Sequence, residues 1–220
     1  MILAMQNVIL EDGDPQDVAA RIAAGTRDRR APDYTDEVRR LLAAALEVMR
    51  RCGTTSRPRV ADIVARAGLS NDAFYRHFSS KEALVAALLE DGAQQLRSYL
   101  AHQMAKETDP AAQVRRWIEG VMTQANEDVA ATTLAVLWNG GTAGKGLASG
   151  RHFASGPLGT LLHEPFAALG STQPEFDAAL ASHAIFGRLS DYLWQQIQPT
   201  SSDIDRMTTF CLRAITGGAR

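Results

Sequence analysis

With 220 residues and 23.8 kDa, the chain suits one large or two small domains and buries enough surface, over about 70%, to fold without disulfides or a metal. Apolar residues make up 45% of it, yet no apolar run nears the roughly 18–20 residues of a bilayer crossing. The opening MILAMQNVIL lacks the basic start of a signal peptide, so a soluble, cytoplasmic protein is expected.

Apolar residues recur at intervals of three and four almost throughout, and no useful run of β-branched alternation exists, which predicts an all-α protein. DPQDVAARIAA at residues 14–24 reads as a short leading helix, followed by the charged connector TRDRRAPD at 26–33. A strong helix is predicted over Thr35–Cys52, with Val38, Leu41, Leu42, Ala45, Val48, Met49 and Cys52 on one stripe and Gly53 at its end. A short helix over Pro58–Ala67 is stopped by Gly68, and Ser70 caps another that ends near Phe78. Ser79 or Ser80 then caps a long fourth helix, Lys81–Lys106. Further helices are predicted at about 110–127, 129–139, 155–169, 174–197 and 202–216. The Gly-rich stretch 139–150 reads as a connection, since GTAGKGLAS lacks phosphate-loop spacing and no strand precedes it.

The net charge is −2, but it is unevenly spread. From Arg27 to Lys81 there are twelve Arg and Lys against seven Asp and Glu, while the flanking stretches are acidic. That segment is either a footprint for a polyanion or a solvated Arg-rich face. Within it, PRVADIVARAGLSNDAFYRHF at 58–78 sets two short helices about the turn Gly68-Leu69-Ser70. Val60, Ile63, Val64, Leu69, Phe74 and Phe78 supply a shared core, leaving Asn71, Asp72, Tyr75, Arg76 and His77 toward the outside. Such a face offers hydrogen-bonding tips of the size a major groove accepts.

The stretch LLAAALEVMRRCG…RVADIVARAGLSNDAFYRHFSSKEALVAALLE resembles the DNA-binding domain of the TetR family of transcriptional regulators, closely over about residues 35–91. The resemblance implies an N-terminal three-helix DNA-binding domain, residues 34–91 with its helix-turn-helix at about 59–78, after an extension at 1–33. A larger helical effector-binding and dimerisation domain, 92–220, would follow. It implies that Ser70, Asn71 and Ala73 approach base edges or backbone, and that Tyr75, His77 and Lys81 contact phosphates. Arg59 is a further phosphate candidate, and Asp72 and Arg76 lie on the same face. Where many members read Lys-Gly-Thr, this chain reads Asn71-Asp72-Ala73. Ala73 offers only a methyl for a thymine, and Asp72 either supports the helix N-terminus or accepts from a cytosine amine. Arg27, Arg29 and Arg30 form either a minor-groove arm or a solvated linker.

In the 174–197 helix, Phe176, Leu180, His183, Gly187, Ser190 and Trp194 form one stripe, and Ala181, Ile185, Leu189 and Leu193 another. A helix apolar on two sides needs cover on two sides, here its own core and a two-fold mate. The expected dimer interface is Phe176, Leu180, His183, Ala184, Gly187, Trp194, Met207, Phe210 and Cys211. The expected ligand pocket is Trp117, Val121, Leu134, Trp138, Phe153, Leu162, Phe166 and Phe186, suited to a hydrophobic small molecule. His152, His163 and His183 are too scattered for a metal, and neither cofactor nor catalytic constellation is expected. The reading is thus a homodimeric repressor, not an enzyme, released by a small-molecule effector from a palindromic DNA operator. A redox-responsive regulator using Cys52 and Cys211 is an alternative on the same fold, and an all-helical carrier or enzyme a remoter one.

Overall fold

Several helices begin or end at capping residues, among them Gly68, Ser70 and Asp109. The computed structural model describes residues 18–24, 31–141 and 156–216, and among these every regular element is helical. In chain order they are α1 (Val18–Ala24), α2 (Ala31–Cys52), α3 (Val60–Ala67), α4 (Asn71–His77) and α5 (Lys81–Met104). Then come α6 (Pro110–Met122), α7 (Glu127–Gly141), α8 (His163–Ala168), α9 (Pro174–Gln195) and α10 (Ser201–Thr216). Tight 3-10 turns at Thr123–Ala125 and Thr160–Leu162 precede α7 and α8. No described helix is long and apolar enough to cross a membrane.

Several boundaries differ from expectation. α2 begins four residues before Thr35, because Pro32 falls in a first turn, where its missing N–H is not needed. α3 begins at Val60 and not at Pro58, because Arg59 is extended (φ −102°, ψ 149°) and its carbonyl accepts the first helical bonds, from Asp62 and Ile63. The 155–169 stretch is broken by its 3-10 turn, and α9 closes at Gln196, whose φ of 55° turns the chain. Residues 14–17 of the expected leading helix, Arg27, Arg29 and Arg30, and residues 142–150 of the Gly-rich stretch lie outside the described residues.

The described residues divide into two units: 18–24, 31–92 and 131–141 in one, 93–130 and 156–216 in the other. In this division α7 from residue 131 groups with the first unit. That part of α7 buries Thr132, Leu134, Ala135 and Val136.

In the first unit α2 is the hub, packed on α1, α3 and α4. Val38, Leu41, Ala45 and Met49 are buried on it, meeting a core that includes Ile63, Val64, Phe74, Phe78, Leu84 and Val85. α1 lies on α2 with Val18, Ala19 and Ala23 buried, and Arg21 pairs with Glu90 of α5 at 2.5 Å.

The second unit is built round α6, which packs against α8, α9 and α10. Asp109 caps it, accepting from the Ala111 and Ala112 amides. Val114, Trp117, Ile118 and Val121 are wholly buried, and Arg115 bridges Glu119 and Asp205 of α10 at 2.9 and 2.6 Å. α9 buries Ala178, Ala181, Ser182, Ile185, Leu189 and Leu193; α10 buries Ile204, Met207, Cys211 and Ile215.

Candidate nucleic-acid interface

Two carbonyl-rich and amide-rich helix ends meet at the turn between α3 and α4, and side chains from α2 and the turn itself satisfy them. Gly68 takes φ 64°, ψ 38°, the left-handed conformation that glycine adopts without a Cβ penalty. The Leu69 amide then donates back to the Val64 carbonyl at 2.9 Å. Arg40 of α2 donates from Nη2 to the Ala67 carbonyl at 2.6 Å and the Gly68 carbonyl at 3.2 Å, with Nε also 3.2 Å from the former. A cation at a helix C-terminus both caps the last carbonyls and opposes their dipole. On the other side Ser70 is extended and its Oγ accepts from the Ala73 amide at 3.1 Å. The turn is therefore fixed before any partner arrives.

α4 is only seven residues long and gains its stability from its inner face. Phe74 is fully buried, its ring 5.7 Å from that of Phe78 and edge-on to Tyr75 at 5.2 Å. At 100° per residue, burial of positions 73, 74 and 77 leaves Asn71, Asp72 and Tyr75 on the outward arc, with Arg76 on its flank. Tyr75 is 58% exposed, unusual for so large a ring. Past Phe78, Ser80 Oγ accepts from the Ala83 amide at 3.1 Å, so Lys81 stands in the first turn of α5. A lysine beside amides that have no partner inside their helix is suited to an anion. Arg59, at the start of α3, is highly exposed and paired with Asp62 at 3.0 Å. That hydrogen bond lowers the Asp62 carboxyl below its ordinary range and raises the guanidinium.

Two of the nine expected contact residues face inward. Ala73 is buried, because the Ser70 cap fixes its amide and turns its methyl into the core; no methyl is left for a thymine. The His77 side chain is 0% exposed. Its Nε2 donates to Glu37 Oε2 of α2 at 2.8 Å, Tyr34 stacks edge-on at 5.5 Å, and Nδ1 is buried without a partner. Arg76 also pairs with Glu37, Nη1 to Oε2 at 3.2 Å, and lies 5.3 Å from the centre of the Tyr34 ring. Arg40, Tyr34 and Glu37 act here through distant partners and carry no local motif in the sequence. Their partners are 27 to 43 residues away, and off-stripe polar residues of a helix read as solvated. The one signal was the position of Arg40 beside the stripe residue Leu41.

The residues expected at a ligand site are divided between the two units. Trp117, Val121, Leu162, Phe166 and Phe186 belong to the second unit, Leu134 and Trp138 to the first, and Phe153 lies outside the described residues, as does His152. Trp117 is locked as core: its indole Nε1 donates to the Leu158 carbonyl at 2.9 Å and Phe186 meets it edge-on at 6.1 Å.

The expected interface residues separate cleanly. Phe176, Leu180 and Trp194 are 59%, 56% and 53% exposed along one face of α9, with His183 and Gly187 exposed between them and Ala184 half-buried. Phe210 is exposed on α10, lining an open groove of about 530 Å³ with Arg206, Thr209 and Arg213. Met207 and Cys211 point the other way, into the unit's own core, because they share the α10 stripe with Ile204 and Ile215. Burial pushes the Cys211 thiol up to about 11, leaving it protonated at neutral pH and a poor redox centre. Among the described residues no cluster of His, Cys, Asp and Glu is placed to hold a metal.

Residues 41–88 match the family of bacterial regulatory proteins, tetR family. No curated protein matches the chain in sequence. Among solved structures, a Mesorhizobium loti protein assigned to the TetR-family transcriptional regulators is 14% identical, with a TM-score of 0.62 over 87% of this chain and 98% of that one. The fatty acid degradation regulator FadR from Bacillus halodurans is 19% identical, with a TM-score of 0.58 over 84% and 96%. A transcriptional regulator from Rhodococcus is 20% identical, with a TM-score of 0.58 over 82% and 96%.

Proposed function

We propose, from a chain with a TetR-family DNA-binding segment at residues 41–88 on the fold of TetR-family regulators, that it represses transcription as a homodimer on a palindromic operator. The fold supports a DNA-binding transcriptional regulator; the finer reading rests on one observation above the rest. The outward arc of α4, Asn71, Asp72 and Tyr75, is polar and exposed at the end of a turn that Arg40, Gly68 and Ser70 make rigid. Asn71 and Asp72 carry donor and acceptor tips for base edges; Ser70, Tyr75, Arg59 and Lys81 flank them as phosphate contacts.

The exposed row Phe176, Leu180 and Trp194, with Phe210 on α10, supports a two-fold interface. Exposed apolar rows of this kind mark a contact surface. A symmetric dimer places two reading helices one or more DNA turns apart, hence the palindrome. α5 contributes residues to both units as one unbroken helix, which supports control of DNA affinity by an apolar effector in the second unit.

Binding titrations of two variants test the contacts. Lys81→Ala weakens binding to every duplex alike and lowers the salt slope by roughly one unit. Asn71→Ala relaxes preference at one position per half-site by about 1–3 kcal/mol. An unchanged salt slope for the first, or a uniform loss for the second, removes the residue from its role.

A further inference from the structure

We propose that Glu37 withholds the only Arg or Lys of the reading helix, Arg76, from DNA, and so sets the balance between sequence-specific and indiscriminate binding. The inference rests on the DNA-binding reading above and adds a residue outside the helix-turn-helix to it. α4 reads NDAFYRH, so Arg76 is its one fixed cation, on the flank of the exposed arc, and Asp72 on the same arc is acidic. A helix offered to a polyanion with its cation engaged elsewhere has little generic attraction for phosphate.

The engagement is built from two sides. Glu37 Oε2 accepts from Arg76 Nη1 at 3.2 Å, and the Tyr34 ring lies 5.3 Å below the guanidinium. An exposed ion pair alone is easily exchanged for a phosphate. This carboxylate, however, is anchored: the same Oε2 also accepts from His77 Nε2 at 2.8 Å, and His77 is fully enclosed with its other ring nitrogen already unpartnered. Were Glu37 to swing away with Arg76 toward DNA, both nitrogens of a buried imidazole would be stranded. Glu37 is therefore stationary, and Arg76 must abandon both the carboxylate and the ring to reach a phosphate.

The test measures affinity for a 30-base-pair duplex of scrambled sequence across a salt series, with thermal melting of each variant alongside. Glu37→Gln keeps an oxygen for His77 but releases Arg76. It is expected to tighten binding roughly fivefold at ~0.1 M salt and to steepen the salt slope by about 0.9. Arg76→Gln alone is expected to leave affinity within about twofold of wild type and the salt slope unchanged, because its charge is not delivered to DNA; this result does not depend on how Glu37→Gln folds. In the double variant the gain disappears. A gain that persists without Arg76 would mean that Glu37 acts by bare repulsion, and a lower slope in Arg76→Gln alone would mean that Arg76 already holds a phosphate; either overturns the proposal. Failure of the wild type to bind any duplex at low salt would instead overturn the DNA-binding reading beneath it.

Discussion

Phe74→Ala is expected to destabilise the first unit by about 3–5 kcal/mol and to abolish DNA binding at temperatures where the wild type still binds. The ring is fully buried, and it is the largest side chain that α4 places in the core. A helix of seven residues has almost no stability of its own, so loss of this anchor releases the reading face as well as opening a cavity. Against a whole-domain stability of about 5–15 kcal/mol the loss is a large fraction. Thermal melting followed by circular dichroism checks it, with Tyr75→Ala as the control: Tyr75 lies on the same helix but faces out, and is expected to shift the midpoint little while still impairing binding. Equal melting of Phe74→Ala and wild type would mean that α4 is not held by its core face.

Leu180→Arg is the second large effect, expected to raise the dimer dissociation constant about a thousandfold. A residue at the centre of an interface is worth about 2 kcal/mol or more when lost. A two-fold interface carries the substitution twice, which gives about 4 kcal/mol and a like-charge clash across the axis. Leu180 stands in the exposed row between Phe176 and Gly187, where a Cβ on Gly187 would meet nothing within 4 Å. Sedimentation across a concentration series reads the result. The variant should fold as the wild type does, bind an isolated half-site equally and a palindrome far more weakly. An unchanged mass would move the interface off this face of α9.

How much of this was legible in the sequence depended on range. Gly68 and Ser70 declare a stop and a start within three residues, so the helix-turn-helix and its inner face, Phe74 and Phe78, could be read directly. The stripe of α2 was equally plain. What failed was whatever a residue decides through a distant partner. His77 reads as an exposed tip beside Tyr75 until Glu37, forty residues earlier, is seen to take its Nε2. Arg40 reads as a solvated charge until it reaches the carbonyls of Ala67 and Gly68. The two stripes of α9 were visible, but Met207 and Cys211 of α10 were assigned to the wrong side, since periodicity shows that a face is apolar and not what covers it. Pocket residues were the least legible: Trp117 in a packed core and an aromatic lining a cavity have the same sequence signature.

The account turns on sequence-specific DNA binding through the outward arc of α4 and Lys81. Purified wild-type protein and the Tyr75→Ala/Lys81→Ala variant should be mixed with fragmented genomic DNA of the source organism, and the retained fragments sequenced. One palindromic motif, enriched by the wild type and lost with the variant, is the predicted result. Enrichment of the same motif by the variant would contradict the account.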